Sequence, residues 1–174
     1  MKFNVEEIVP CQLKHINLSC WGCCGRNYKS QKKVERDIFH NTERFKKLGK
    51  VPSTLRLLQF RDRLDPDPFV VKISGICSNL VKFDNGVYAC PLHPMINEIV
   101  PKEEYNLIAK KDLRQNYCDV HHECETLRQW QKMSKEQKTE LIHWIEKQNF
   151  DHYSYSIANG ENQLIWNFLD EKEN

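Results

Sequence analysis

Long apolar runs are missing from this chain of 174 residues. No stretch approaches the ~20 consecutive apolar residues that a membrane-spanning helix needs. The first seven residues, MKFNVEE, contain no apolar core of the kind found in secretory signal peptides. The sequence therefore predicts a cytoplasmic protein that has no membrane partner and whose thiols are reduced.

Signatures of common catalytic sites are also missing. The chain has no Gly-x-Gly-x-x-Gly loop for a nucleotide-like cofactor, and no internal repeats. It shows no order of Ser, His and Asp residues typical of a catalytic triad, no pair of carboxylates typical of general acid–base catalysis, and no phosphate-binding loop. The sequence consequently predicts neither a substrate nor a catalytic residue, and whether the protein is an enzyme stays open.

Cysteine, by contrast, is concentrated in a few places. Three of the eight cysteines lie within Cys20-Trp21-Gly22-Cys23-Cys24-Gly25, and the others are Cys11, Cys77, Cys90, Cys118 and Cys124. Eight cysteines in a chain of this length are too few for a small disulfide scaffold. In a reducing compartment, thiols that converge in space typically bind metal or act in redox chemistry. A disulfide-rich secreted protein is the third and least favoured interpretation.

The apolar periodicity predicts mostly helices. Helices are expected over residues 30–48, after a Ser53 cap, over 102–113, over 124–133, after a Ser134-x-x-Gln137 capping box, over 151–160 and around Leu164 to Leu169. In the second of these, Leu55, Leu58 and Leu64 are expected to be buried. The tryptophans at 130, 144 and 166 are interpreted as core anchors.

The expected fold is α+β, a mostly helical single domain with a small antiparallel β-hairpin or sheet and cysteine-rich loops around a metal site. The domain spans residues 1–170, with a cysteine-rich part at 11–124 and a helical part at 125–170. A strand is expected at 69–73, and Asp84-Asn85-Gly86 predicts a hairpin turn between residues 80–83 and 87–90. Closing that hairpin is expected to bring Cys77 and Cys90 together.

Three further side chains are ranked by their place in the chain. His93 lies in Pro91-Leu92-His93-Pro94, a rigid turn that presents one imidazole, and it is equally a candidate ligand and a structural residue. Cys118 is expected on a loop, where it joins the metal site more readily than Cys124. Cys124 is expected at the start of a helix, as a buried or supporting residue.

Positive charge is concentrated in one segment. Residues 26–63 contain twelve Lys and Arg against four Asp and Glu, although the whole chain has a net charge of only +2. Such a segment contacts nucleic acid or an acidic protein in some proteins. A solvated helical surface is the favoured interpretation, because the basic residues are not interleaved with aromatic side chains for base stacking. A protein partner of unknown identity is therefore expected, and nucleic acid is the less favoured partner.

The cysteine motifs resemble those of the YkgJ-type cysteine-cluster family, which is described as a zinc- or iron-chelating domain. The resemblance covers residues 11–124 and depends on Cys20-Trp21-Gly22-Cys23-Cys24, on Gly75-Ile76-Cys77 and on Gly86-Val87-Tyr88-Ala89-Cys90. It implies a metal site built from Cys20, Cys23, Cys24, Cys77 and Cys90, with Cys118 as the last family cysteine. Flagellin lysine methylases carry a similar arrangement with an iron–sulfur site.

Two departures from the family pattern bear on the ligand set. Asn17 stands where the family has its first cysteine, so Cys11 is the candidate to replace it through a longer loop. His93-Pro94 stands where the family often has Arg-Pro, so the usual role of that Arg-Pro does not carry over to this chain.

The adjacent pair Cys23 and Cys24 bears on which metal is bound. The two side chains project differently and fit poorly on one small ion, which favours an iron–sulfur cluster or two neighbouring metals. Zinc remains open, since thiolates suit both.

Two classes of function follow. The first is a metal-cluster protein, redox-active or part of a modification enzyme. The second is a non-catalytic module that zinc stabilises and whose basic surface at 26–63 contacts nucleic acid or a protein. Removing the metal is expected to loosen the first two-thirds of the chain more than the tail, because residues 11–25 and 75–94 have little besides thiols to hold them.

Overall fold

The structure is a computed structural model that describes most of the chain. The described residues are 4–22, 27–62, 72–94, 96–100, 112–114, 118, 123–161 and 163–173. The chain divides into two compact units. The first unit is Met1–Cys23 together with Glu123–Asn174, and the second is Cys24–His122. The expectation of one domain over residues 1–170 stays a prediction.

Helices make up most of the described structure. The helices are α1 (Gln31–Lys46), α2 (Thr54–Asp62), α3 (Ile96–Ile99), α4 (Glu125–Lys132), α5 (Lys135–Lys147), α6 (His152–Gly160) and α7 (Gln163–Glu173). The strands are β1 (Gln12–Leu13), β2 (Leu18–Ser19), β3 (Val81–Lys82) and β4 (Tyr88–Ala89), paired as two antiparallel ribbons. These described elements confirm a helix-rich α+β fold. No helix among them is long and apolar enough to cross a membrane.

The first unit packs the β1–β2 ribbon and helices α4 to α7 around one core. Its buried side chains include Leu13, Leu18, Trp130, Leu141, Ile142, Ile145, Tyr155, Leu164, Ile165 and Phe168. Two backbone amides connect the ribbon to α6. The Ser19 amide donates to Nδ1 of His152 at 3.0 Å, and the Trp21 amide donates to Oγ of Ser156 at 2.7 Å. Residues more than a hundred positions apart therefore form one packed body.

Capping residues fix the starts of the last helices as the sequence predicts. Ser134 and Gln137 form a reciprocal capping box at α5. Asp151 and Ser154 form a second one at α6, which ends at Gly160 as expected. Each box satisfies backbone amides that the first helical turn leaves without a partner.

The second unit packs α1, α2 and the β3–β4 ribbon around its own core. Its buried side chains include Phe45, Leu57, Phe60, Val81, Phe83, Val87, Ala89, Leu92 and Ile96. The predicted turn closes the ribbon: Gly86 has a φ of 84°, and the Asn85 side chain accepts from the Val87 amide at 3.1 Å. The hairpin expectation is confirmed.

One expectation about burial in α2 was wrong. Leu55 is 65% exposed, and Leu57 and Phe60 are buried in its place. Leu58 is half-buried and packs against the core of the second unit, and Leu64 lies outside the described residues. Apolar residues occur on several sides of α2, so spacing alone does not identify the face that packs.

The three tryptophans of the tail also differ from one another. Trp130 is buried and Trp144 is half-buried, which agrees with a packing role. Trp166 is 64% exposed, so it is not a core anchor. In α7 the core face is formed by Leu164, Ile165 and Phe168 instead.

Two predicted elements fall largely outside the described residues. In the strand expected at 69–73, only Lys72 and Ile73 are described, and neither is in a strand. In the helix expected at 102–113, only residues 112 and 113 are described, and neither is helical. These short parts of the two expectations were wrong.

The cysteine loops hold more apolar contacts than expected. Leu13, Leu18 and Trp21 are buried in the first loop region, and Ile76 and Leu92 in the second. The expectation that these segments have little besides thiols to hold them was therefore wrong. Both segments belong to the packed cores of their units.

Candidate metal centre

The β1–β2 ribbon places Cys11 opposite Cys20. Gln12 pairs with Ser19 and Leu13 pairs with Leu18. One position further from the turn, the amide of Cys20 donates to the carbonyl of Cys11 at 2.9 Å. Residues directly opposite in an antiparallel pair have neighbouring side chains on one face. With a side-chain period of two, that face is the one carrying Leu13 and Leu18 toward the core. Cys20 accordingly packs against the core of the first unit.

Cys124 lies at the N-cap of α4, with extended backbone angles of −70° and 156°. Its side chain makes no capping hydrogen bond of ordinary geometry, but the amides of Leu127 and Thr126 lie near enough to favour the thiolate. A hydrogen bond from Cys11 is the main influence. Together these donors lower the pKa of Cys124 to about 6, although burial acts in the opposite direction. Cys124 is therefore an acidic thiol in contact with Cys11.

Tyr155 on α6 lies near all three of these thiols. It is fully buried, and its hydroxyl donates to the carbonyl of Pro10 at 2.6 Å. Burial raises the pKa of Tyr155, and the charges of Cys20, Cys11 and Cys124 raise it further. All three thiols therefore lie within electrostatic reach of one buried hydroxyl.

A second set of thiols belongs to the other unit. Cys90 directly follows β4 and packs against the core of that unit. The thiol of Cys118 donates to the carbonyl of Arg114 at 3.8 Å, a long contact. Arg114 is held by Asp112, which accepts from Nε at 2.9 Å and from Nη2 at 2.6 Å. The hydrogen bonding to Asp112, and then the charges of Asp112, Cys118 and Cys90, raise the pKa of Arg114. Burial of Arg114 lowers this pKa.

Cys77 lies in a buried loop before β3. Its sulfur accepts from the amide of Asn79 at 3.4 Å, and its carbonyl accepts from Nδ2 of Asn41 at 3.1 Å. Asn41 also donates to the carbonyl of Leu80 at 3.0 Å, so α1 fixes the backbone of this loop. The predicted approach of Cys77 to Cys90 stays a prediction.

His93 lies in the same unit as Cys90. Its amide donates to the carbonyl of Cys90 at 3.1 Å. Burial and the nearby charge of Arg114 lower the pKa of His93, while Asp112 and Glu98 act in the opposite direction. The imidazole is therefore biased toward its neutral form, which is the form that binds metals.

The candidate ligands are thus distributed over both units. The first unit contains Cys11, Cys20 and Cys124, and the second contains Cys77, Cys90 and Cys118. Cys23 and Cys24 lie outside the described residues, and the expected convergence of the cysteines stays a prediction. No disulfide joins any two of the six described cysteines. Among the described residues, no group of three or more Cys, His, Asp or Glu side chains could hold a metal ion.

The contact between Cys11 and Cys124 is the feature that sequence reasoning missed. The sequence does place Cys124 at the start of a helix, where backbone amides favour a thiolate. It gives no sign of the pairing of β1 with β2, because each strand has only two residues. Cys124 consequently ranked below Cys118 in the sequence analysis.

The basic segment forms much of an exposed helical surface. Lys32, Lys33 and Arg36 on α1 are exposed, as the favoured interpretation expects. Phe39 on the same helix is 59% exposed, so an aromatic side chain does accompany them. The neighbouring groove has mixed charge, since its lining includes Glu35, Glu43, Lys46, Lys82 and Asp84. The mixed charge of this groove therefore does not favour the binding of a nucleic-acid phosphate backbone.

Comparison with known proteins found no matching family model, no matching curated protein and no matching solved structure.

Proposed function

We propose that this protein binds zinc through a thiolate site formed by Cys11, Cys20 and Cys124 with Cys23. The observation that carries the proposal is that the β1–β2 ribbon places Cys11 opposite Cys20, while Cys11 also contacts Cys124 from a distant part of the chain. Cys23 enters from the sequence, where it follows Cys20 at the spacing of a Cys-x-x-Cys motif. Four cysteines are the ligand set of many structural zinc sites.

The electrostatics of the three thiols support a bound cation. Cys124 already favours its thiolate form at neutral pH. Placing further thiolates beside it, next to a buried hydroxyl, raises the cost of each negative charge. A divalent cation removes that cost and binds deprotonated thiols directly.

The contact of Cys11 with Cys124 favours one ion over a cluster. Two sulfurs on a tetrahedral zinc with 2.3 Å bonds lie about 3.8 Å apart, close to the separation of hydrogen-bonded thiols. Zinc has no redox chemistry of its own, so the proposed metal stabilises the fold and does not transfer electrons. This role corresponds to the zinc-stabilised binding module of the sequence analysis. A redox or modification enzyme with an iron–sulfur cluster is the competing function.

The test is metal analysis of protein purified anaerobically without added metal. We expect a colourless protein that contains zinc, and loss of at least one zinc in Cys124→Ser. Glu123→Gln is the matched control, because it changes an exposed neighbour of Cys124 and should retain all the metal.

Two results would reject the proposal. A brown protein with iron, sulfide and absorption near 400 nm would replace zinc with an iron–sulfur cluster. A metal-free protein in which Cys11 and Cys124 form a disulfide on exposure to air would make the pair a redox couple.

A further inference from the structure

We infer that the protein associates with itself head to tail, with helix α7 of one copy bound to the corner between α1 and α2 of another copy. The corner presents exposed cations and aliphatic side chains, and α7 presents exposed apolar side chains in an acidic segment. The inference does not depend on the proposed zinc, and it adds a partner, which is a second copy of this chain.

The first of the two surfaces is the corner between α1 and α2, which consists of Lys47, Lys50, Val51, Leu55 and Arg56. All five side chains are exposed. Val51 is 57% exposed, and Leu55, four positions later, is more exposed still. Large apolar side chains that are exposed close together mark interaction surfaces more often than single ones do.

The corner is also strongly basic. Residues 44–61 contain six Lys and Arg and no Asp or Glu. Lys46, at the end of α1, pairs with Asp84. Within the part of the chain that the structure describes, no carboxylate forms an ion pair with Lys47, Lys50 or Arg56. An acidic partner would therefore compensate a charge that the described residues leave uncompensated.

Hydrogen bonds hold the backbone of the corner in place. Nη1 of Arg56 donates to the carbonyl of Leu48 at 2.7 Å, and the amide of Arg56 donates to Oγ of Ser53 at 3.3 Å. Pro52 is buried between these two exposed segments. A surface that is ordered before binding loses less conformational entropy when a partner binds.

The second surface is the outer face of α7. Trp166 is 64% exposed, and Leu169 and Asp170 are exposed as well. Residues three and four positions apart lie on the same face of a helix, so these three side chains are neighbours. The opposite face of α7 already packs into the core of the first unit through Leu164, Ile165 and Phe168. A large exposed tryptophan is a frequent source of binding energy in protein interfaces.

The segment that contains α7 has the opposite charge to the corner. Residues 148–174 contain five Asp and Glu and a single Lys or Arg, which is Lys172. Lys172 donates to Glu140 on α5, so the cation of this segment is already paired. The outer face of α7 thus offers apolar side chains and negative charge, as the corner offers apolar side chains and positive charge.

The charges decide how two copies meet. A contact between two corners would place lysines opposite lysines, and a contact between two α7 faces would place acidic residues opposite one another. Only the head-to-tail contact brings opposite charges together, and such a heterologous contact forms rings or open chains. Nucleic acid fits the corner less well, because the exposed side chains of Val51 and Leu55 cannot stack on bases.

The experiment measures the mass of the full chain in solution by sedimentation velocity and light scattering, from micromolar to millimolar concentration. We expect the average mass to rise with concentration, because the two surfaces are small and bind weakly. Added salt should lower the mass, since it screens the exposed charges.

Leu55→Glu and Trp166→Ala test the two surfaces separately. Each variant changes an exposed side chain and should weaken the association more than about tenfold. Ile73→Glu is the matched control, because it places the same charge on an exposed aliphatic residue of the second unit outside the corner. The control should associate like the wild type.

A mixture of the two variants tests the head-to-tail arrangement. The Leu55→Glu copy keeps an intact α7, and the Trp166→Ala copy keeps an intact corner. Although each variant alone should be monomeric, the mixture should form a dimer with one copy of each. Assembly should stop at two copies, because only one intact contact is left in the pair.

Three results would overturn the inference. The first is a wild-type protein that stays monomeric throughout the concentration range. The second is an association that persists in Leu55→Glu or Trp166→Ala, and the third is a mixture of these variants that remains monomeric. Zinc content measured on the same samples reports on the proposed function separately, because neither substituted residue is a proposed ligand.

Discussion

Cys124 combines two features that acidify a thiol. It begins a helix, where backbone amides point at the side chain, and it receives a hydrogen bond from Cys11. Neither feature needs a lysine or arginine beside the sulfur. The reactivity of this residue in the metal-free protein therefore depends mainly on Cys11.

Alkylation of Cys124 should follow an unusually low pH midpoint. The rate follows the thiolate fraction, so in metal-free protein it should rise through about pH 6 instead of the ordinary 9. Cys11→Ala removes the hydrogen-bond donor and should shift the midpoint upward. Mass spectrometry of iodoacetamide-treated protein across pH 5 to 9 measures this. Equal midpoints in the wild type and Cys11→Ala would contradict the assigned role of Cys11.

Tyr155→Phe should lower the free energy of unfolding by about 1–3 kcal/mol, because the buried carbonyl of Pro10 loses its donor. Urea denaturation measures the change. The content of the proposed zinc should stay the same, since the hydroxyl is not one of its proposed ligands. A variant as stable as the wild type would show that the hydrogen bond to Pro10 makes no net contribution to the free energy of unfolding.

At the scale of elements, local chemistry predicted some features well. The capping boxes at Ser134 and Asp151 and the turn at Asn85-Gly86 depend on residues within four positions of one another. The β1–β2 ribbon could not be predicted in this way. Its turn contains no glycine or proline, and its register depends on packing Leu13 and Leu18 against residues more than a hundred positions away. The same dependence on distant residues hid the contact between Cys11 and Cys124.

Ser134→Ala should destabilise the first unit by about 1 kcal/mol, the usual cost of losing an N-cap. The Ser134 hydroxyl accepts from the Gln137 amide at 3.3 Å, and alanine offers no replacement. The midpoint of chemical denaturation measures the effect. Lys147→Ala, at an exposed position near the other end of α5, is the control and should change stability far less.

At the scale of the whole molecule, each unit has its own apolar core. The cysteine segments contribute to these cores, so burial holds them in addition to the proposed metal. This differs from small metal domains, which unfold when the metal leaves.

Removing the proposed zinc should therefore loosen the protein locally. We expect faster hydrogen exchange at the amide of Cys20, which donates to the carbonyl of Cys11 beside the proposed site. Amides within α5 should stay protected, because Leu141, Ile142 and Ile145 remain buried. Hydrogen exchange with mass spectrometry before and after chelation measures both. Loss of protection throughout α5 would mean that the metal holds the whole first unit together.

The first unit consists of two chain segments that are separated in the sequence by the whole second unit. This sets an order of folding during synthesis. The second unit is one continuous stretch, Cys24–His122, so it is complete as soon as the ribosome has made His122. The β1–β2 ribbon is made earlier, yet it lacks the whole of α4 to α7 until roughly 150 further residues follow. At about 5–20 residues per second, this wait lasts about 8–30 s. During that interval Cys11 and Cys20, the oldest thiols of the chain, depend on the reducing capacity of their surroundings to stay reduced.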